Sequence, residues 1–283
     1  MLQLKVAAKI NLHLHITSTR MDGYHTLDGF MQSVSIFDRL IVVPAQEIII
    51  NCPGVAQERN TAHLAAERFF AALGVTDGVH VQIEKGIPFG AGLGGSSADA
   101  AALLIALNTL YENPFPLNVL QEIGLSIGAD VPFMMQGGCM RTEGIGEQLT
   151  PAANHLKGVY LIVQPAGTIA AKDAYQLYDE IGGDTGDTLR FMEGLEKGDA
   201  LLCRQHGQNS LLRACATLNP AIAPLLQQLK AMADYAFLTG SGSACVGYFD
   251  SVSAANVAYK ALQPQVVFAK TATATPHSIF FQE

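Results

Sequence analysis

Residues 87–104 of the 283-residue chain, IPFGAGLGGSSADAAALL, set four glycines and two serines between an extended stretch and an apolar helix. Glycine lets a backbone close on phosphate oxygens without a Cβ clash. The free N–H groups and positive dipole end of a helix start favour an anion there. Gly90, Gly92, Leu93, Gly94, Gly95, Ser96 and Ser97 are therefore read as a phosphate cradle. A plainer reading makes Ser96 or Ser97 an N-cap and the glycines a tight turn. Asp99, in the first helical turn, either complements the dipole or sits beside phosphate with magnesium between them. Its role stays open at this level.

The same glycines also spell G-x-G-x-x-G (Gly90, Gly92, Gly95). A dinucleotide fold requires a strand running directly into the glycines, then a helix, then a second parallel strand ending in an acid. Here Glu84, Lys85 and Pro88 intervene before the loop, and Pro114 and Pro116 and a further helix follow it. That context excludes a nicotinamide-dependent oxidoreductase. G-x-x-x-x-G-K-[ST] is excluded too, because the chain has no Gly-Lys pair.

Further candidates lie outside the loop. Asp130, two residues before Pro132, is either an Asx turn or a carboxylate free for proton transfer. Alternation over residues 2–16 places Lys9, Asn11, His13 and His15 on one strand face. On spacing alone Lys9 reads as a solvated edge lysine, which its sharing a face with Asn11 argues against. Two histidines spaced by two on a strand suit surface or hydrogen-bonding roles better than a metal. Tyr24 and His25 follow an Asp-Gly turn, where an exposed aromatic and a hydrogen-bonding ring suit a base or simply pack on the next strand.

The elements that must position these groups are mixed. VSIFDRLIVVP, IIINCPG and GVHVQIEKGIP read as strands, the second broken by Pro53. NTAHLAAERFFAALG reads as an amphipathic helix stopped at Gly74, and residues 96–110 as a helix apolar almost all round and hence buried. LNVLQEIGLSIG reads as a helix and GCMRTEGIGEQLTP as a hairpin at a domain edge. Beyond lie strands in GVYLIVQP, YAFLTGSGSACVGYF and VVFAKTATA, with helices around Tyr175 and near 189–200, 220–234 and 253–262. The mixture is α+β in two domains.

Composition narrows the partners. With 49% apolar and 15% charged residues, the chain is expected to be a soluble globule. No apolar run reaches the roughly 20 residues of a membrane span. The N-terminal stretch lacks a secretory pattern. Five dispersed cysteines without a C-x-x-C pair suit reduced thiols in a cytoplasm. A net charge of −8 disfavours nucleic acid, so a phosphate site must be built locally from N–H groups, a few lysines and a divalent cation.

IPFGAGLGGSSADAA resembles the phosphate-loop motif of the GHMP kinases, and GLSIGADVPFMMQGG and LTGSGSACVGYF resemble their second and third motifs, in the expected order. AKINLHLHITSTRMDGYHTL, residues 8–27, is similar to the signature of the branch acting on 4-diphosphocytidyl-2-C-methyl-D-erythritol. Homoserine and mevalonate-type kinases lack its R-x-D-G-Y-H element. The resemblance spans essentially the whole chain. It implies an α+β, two-domain GHMP kinase fold with the active site in the inter-domain cleft. Residues 1–150 would form the N-terminal ATP-binding domain and 151–283 the C-terminal domain. It implies ATP and Mg2+ as cofactors and a small-molecule substrate, a cytidine-diphosphate-linked methylerythritol phosphorylated on its 2-hydroxyl. Asp130 would be the general base and Lys9 its partner. Asn11, Tyr24 and His25 would lie at the acceptor end, with Tyr175 and Tyr24 sandwiching the cytosine. Asn60 and Lys85 would border the adenine, and Gly240, Ser241 and Gly242 would brace the loop. Two departures stand out: Ser96 and Ala98 replace a usual glycine and serine, and Ala170-Ala171 replace a usual Ser-Thr.

Overall fold

The structure, a computed structural model, describes residues 1–57 and 60–282. Two long strands dominate its first half: β1 (Leu2–Thr19) and β2 (His25–Ala45), paired antiparallel through the turn at Gly23. β3 (Ile49–Asn51), β4 (Gly78–Glu84), β5 (Cys139–Gly144), β6 (Gln148–Pro151) and the final β11 (Ile279–Gln282) complete a seven-stranded sheet, ordered β11-β1-β2-β4-β3, with β5 on the far half of β2 and β6 beside β5. A four-stranded antiparallel sheet, β10-β7-β9-β8, forms the second half from β7 (Val159–Gln164), β8 (Tyr235–Leu238), β9 (Cys245–Phe249) and β10 (Phe268–Ala272). The last strand of the chain thus returns to the first sheet, beside β1.

Helices pack against both sheets. α1 (Thr61–Leu73) starts at Asn60, whose side chain accepts from Ala62 N–H, and stops at Gly74 in the left-handed region. α2 (Gly95–Leu110) packs against α1, β1 and α4, and its run of buried alanines permits that close approach. α3 (Leu117–Leu125) and the short α4 (Val131–Gln136) follow. In the second half, α5 (Ala171–Ile181), α6 (Thr188–Lys197), α7 (Ala200–His206) and α8 (Leu212–Leu218) precede α9 (Ile222–Met232) and α10 (Val252–Leu262), which pack on the small sheet. Two hydrophobic clusters result. The larger runs from the seven-stranded sheet onto one face of the small sheet through Tyr160, Ile162, Phe237 and Val246. The smaller packs α9 and α10 on that sheet's other face, joined by Leu14 and Ile16 of β1. Sequence patterning does not reveal β11 or the six-residue α4, because neither carries a full period of its own.

One correction concerns β1. The pairing with β2 slips between Asn11 and His13, a β-bulge that reverses the alternation. Lys9, Asn11 and then Leu14 therefore face one cavity. His13 does not share their face: it is buried, stacked on Phe191 at 5.0 Å between ring centroids. Its Nδ1 accepts from Gln208 N–H at 3.0 Å and its Nε2 lies 3.2 Å from Thr188 Oγ1, so the neutral ring carries its proton on Nε2. Burial, and then His15, depress His13 to about 4.

A depressed histidine makes stability pH-dependent with a definite sign. Between pH 6.5 and 4 the unfolded chain binds the proton that the folded chain refuses, so this contribution is complete above about 6.5 and lost as pH falls through 4. Urea unfolding at pH 7 and pH 4.5 is expected to show a His13-dependent loss of roughly 2–3 kcal/mol. In His13→Gln the same pH change should cost less by about that amount. An equal pH slope in both proteins would assign the effect to other groups.

Candidate active site

The site begins at the end of β4, where the chain enters the glycine loop. Gly90, Gly92 and Gly94 all take positive φ, so the loop is three left-handed turns in succession. The segment 239–244, between β8 and β9, lies directly behind it. Ser243 N–H and Ala244 N–H donate to the carbonyls of Gly90 and Ala91, and Thr239 Oγ1 donates to Gly92 O. Lys9 N–H donates to Leu93 O at 3.0 Å, and Asn11 N–H to Thr239 Oγ1 at 3.0 Å. Strand β1, the loop and the 239–244 turn are thereby tied into one unit. A Cβ on Gly92 would stand 2.2 Å from Thr239 O.

The helix after the loop is not capped by a serine. Gly94 is the N-cap residue and no side chain caps it, so the N-cap reading of Ser96 and Ser97 is corrected. The Ser96 carbonyl instead accepts from Thr61 Oγ1 of α1. Both serines line a small cavity of about 210 Å3 formed by the loop, which Lys85 also lines. A larger cavity of about 710 Å3 lies on the other side. Gly92, Gly94, Ser97 and Asp130 belong to the walls of both.

Asp130 occupies that shared wall because it heads α4 without capping it: its side chain accepts no backbone N–H, which excludes the Asx-turn alternative. The carboxylate is about one-third exposed, and its Oδ2 lies 3.3 Å from Lys9 Nζ. Lys9 is buried and also donates to Asn11 Oδ1 at 2.6 Å. Gly240 approaches the same group, since a Cβ there would come within 3.2 Å of Lys9 Nζ. The larger cavity thus has an acid and a buried ammonium at its inner end, with Ser241 on its wall and Gly242 in the turn behind.

Aromatic groups line the opposite end. Tyr24 is 59% exposed at the tip of the β1–β2 hairpin. His25 is buried, stacks on Tyr175 at 4.9 Å and 25°, and places Nε2 2.7 Å from Asp179 Oδ1. Burial raises the Tyr175 phenol above its usual value, so it stays protonated at neutral pH. Asp179, Gln176 and Lys172 join Tyr175 on this wall and were not singled out in the sequence. Their spacing of three and four residues is the mark of one helix face, but only the fold turns that face toward a cavity. Ala170 caps α5 without a side-chain hydrogen bond, as its methyl group dictates.

Asn60 is buried with its carbonyl oxygen committed to capping α1. Lys85 ends in a buried acidic pocket, donating to Asp38 and, at 2.7 Å, to Asp99. The Asp99 carboxylate is thus held by Lys85 and does not itself line the loop cavity. Burial, with Asp38 adding to it and Lys85 opposing, holds the Asp99 carboxyl above the ordinary carboxylate range. For Lys85 burial works downward, but Asp99 and Asp38 outweigh it and hold the ammonium above its usual value.

Two family models match the sequence: the GHMP kinases N terminal domain over residues 60–138 and the GHMP kinases C terminal over 191–265. A protein of Desulfitobacterium hafniense named 4-diphosphocytidyl-2-C-methyl-D-erythritol kinase is 38% identical over 244 residues, 85% of this chain and 84% of that protein. A protein of the same name from Caldanaerobacter subterraneus subsp. tengcongensis is 33% identical over 281 residues, 95% of this chain and 96% of its own. The crystal structure of a 4-(cytidine 5'-diphospho)-2C-methyl-D-erythritol kinase superposes with a TM-score of 0.81 at 30% identity, covering 96% of this chain and 100% of that one. A homoserine kinase from Cytophaga hutchinsonii shares the fold at a TM-score of 0.76 but only 17% identity, over 99% of this chain and 97% of that one.

Proposed function

Because the chain belongs to the 4-diphosphocytidyl-2-C-methyl-D-erythritol kinase family of the GHMP kinases, it is an ATP-dependent small-molecule kinase, and we propose how its cleft works. ATP places its phosphates in the loop cavity, and the 2-hydroxyl of 4-diphosphocytidyl-2-C-methyl-D-erythritol enters from the larger one. The supporting observation is the position of Asp130 on the wall common to both cavities. A group there can take the proton of an attacking hydroxyl while the γ-phosphoryl group lies in line beyond it.

Lys9, 3.3 Å from Asp130, offsets the carboxylate charge and offers an ammonium to the transferring group. Asn11 fixes the Lys9 ammonium through the 2.6 Å hydrogen bond. The loop N–H groups and the start of α2 receive the phosphates, with Gly240–Gly242 holding the loop from behind. Magnesium binds few protein oxygens and usually arrives on the phosphates. Ser97 lines the loop cavity, and its hydroxyl fits that demand and would hold it. When bound, the ion offsets charge on the triphosphate. Asn60, the N-cap of α1, lines neither cavity and would border the adenine only beyond the loop cavity.

At the outer end, Tyr24 and the face of Tyr175 not covered by His25 would take the two faces of the cytosine, with His25 holding Tyr175 in place. Tyr24→Ala is expected to raise KM for the cytidyl substrate by about 30-fold, the loss of one stacking face, with KM for ATP unchanged. Equal increases in both constants would remove Tyr24 from the clamp. The reading as a whole is tested by magnesium-dependent ADP release with ATP and 4-diphosphocytidyl-2-C-methyl-D-erythritol, beside homoserine, mevalonate and phosphomevalonate. Turnover with the cytidyl substrate alone is expected. Turnover with one of the others would overturn the acceptor assignment and leave the nucleotide site standing.

A further inference from the structure

The acidic pocket beneath the loop has a use that the phosphoryl-transfer scheme does not include. Asp38, on β2, is fully buried. Its Oδ1 accepts Gly86 N–H at 2.7 Å and Ile87 N–H at 2.8 Å, the residues through which the chain enters the loop. Its Oδ2 takes the Lys85 ammonium, which also bonds Asp99 Oδ2 at 2.7 Å on α2, just past the loop's exit. One ammonium therefore connects the two ends of the loop to a strand of the sheet. Lys85 lines the phosphate cavity, whereas neither carboxylate does. Its Nζ lies 3.4 Å from where a Cβ on Gly95 would stand, and 5.4 Å from the centre of the Phe89 ring.

Burying two carboxylates and an ammonium is costly relative to apolar residues of the same size, and the pairing alone does not add stability that such residues could not supply. What the ions add is direction. Asp38 and Asp99 fix where the ammonium stands, and the ammonium fixes how far apart the loop's entry and exit lie. We infer that Asp38, Lys85 and Asp99 form a clamp that positions the glycine loop for the nucleotide phosphates, so that Asp99 acts on ATP affinity through Lys85 without touching ATP. This rests on the reading of the loop as the ATP-phosphate cradle.

The test compares Asp99→Leu with Asp99→Asn in steady-state kinetics on the full-length enzyme. Leucine fills the space but cannot hold Lys85, so KM for ATP should rise about tenfold, the loss of one charge-assisted hydrogen bond. The KM for the acceptor and kcat should both stay within about twofold of wild type. Asparagine keeps an oxygen for Lys85 and should restore KM for ATP to within about threefold of wild type. Asp99→Ala serves the same comparison if leucine overpacks the pocket. An unchanged KM for ATP, equal rises in both KM values, or an asparagine variant as impaired as the leucine one would each overturn the clamp. Wild-type turnover with ATP tests the underlying reading separately, before any variant is compared.

Discussion

Asp130→Asn is expected to lower kcat by roughly 10³-fold, within the range for removing a positioned general base, while KM for ATP stays within about twofold. The direction follows from geometry. Asp130 borders both cavities, accepts no backbone hydrogen bond and has Lys9 as its charged neighbour. Asparagine keeps the shape and the start of α4 but cannot take a proton, so the loss falls on the chemical step and not on nucleotide binding. Single-turnover and steady-state ADP release would separate the two. A kcat near the wild-type value would remove Asp130 as base and leave the charge of Lys9 and the phosphate loop to supply the rate. A large rise in KM for ATP would instead assign Asp130 to the nucleotide.

Gly92→Ala is expected to abolish ATP turnover and to destabilise the folded chain by about 3 kcal/mol or more. Two separate costs meet at this residue. Its φ of +75° lies in the left-handed region, where a Cβ is strained, and the added carbon would stand 2.2 Å from Thr239 O and 3.0 Å from Gly242 N. Those atoms are backbone, so neither can swing aside as a side-chain tip could. The loop must lift off the 239–244 turn, breaking the bonds that Thr239, Ser243 and Ala244 give it. Thermal unfolding with and without ATP checks both parts: a lower melting temperature, and no further stabilisation by the nucleotide. Gly74→Ala is the control, because its φ is also +75° but nothing lies within 4 Å of an added Cβ. It should show the strain without the clash, and keep activity.

Much of this was legible in the chain itself, and the legible parts share a physical basis. Glycine spacing, a Pro after an Asp, an Asp-Gly turn and an alanine-rich apolar run act within a few residues, so the glycine loop, the buried α2 and the DGYH turn could be read directly. The family resemblance added the cleft, the acceptor and the pairing of Lys9 with Asp130. The misreadings came where a distant contact outweighed a local rule. Ser96 and Ser97 have the chemistry of N-caps, but Gly94 takes that place because the loop must bend through left-handed turns to reach the 239–244 segment. Alternation placed His13 with Lys9, but the bulge at Leu12 turned it toward Phe191 and Gln208.

What the sequence determined by itself, then, was the set of chemical groups and their local presentation: a glycine-rich loop before a buried helix, an acid ahead of Pro132, a lysine on an alternating strand and an exposed tyrosine after a tight turn. The tertiary structure decided which of them meet. It set Asp130 on the wall shared by two cavities, joined His25 to Tyr175 and Asp179, and brought Asp38, Lys85 and Asp99 together beneath the loop. Turns and helices are fixed by interactions between near neighbours, whereas a site is fixed by how the two sheets and their helices pack. That packing depends on buried surfaces contributed by residues far apart in the chain.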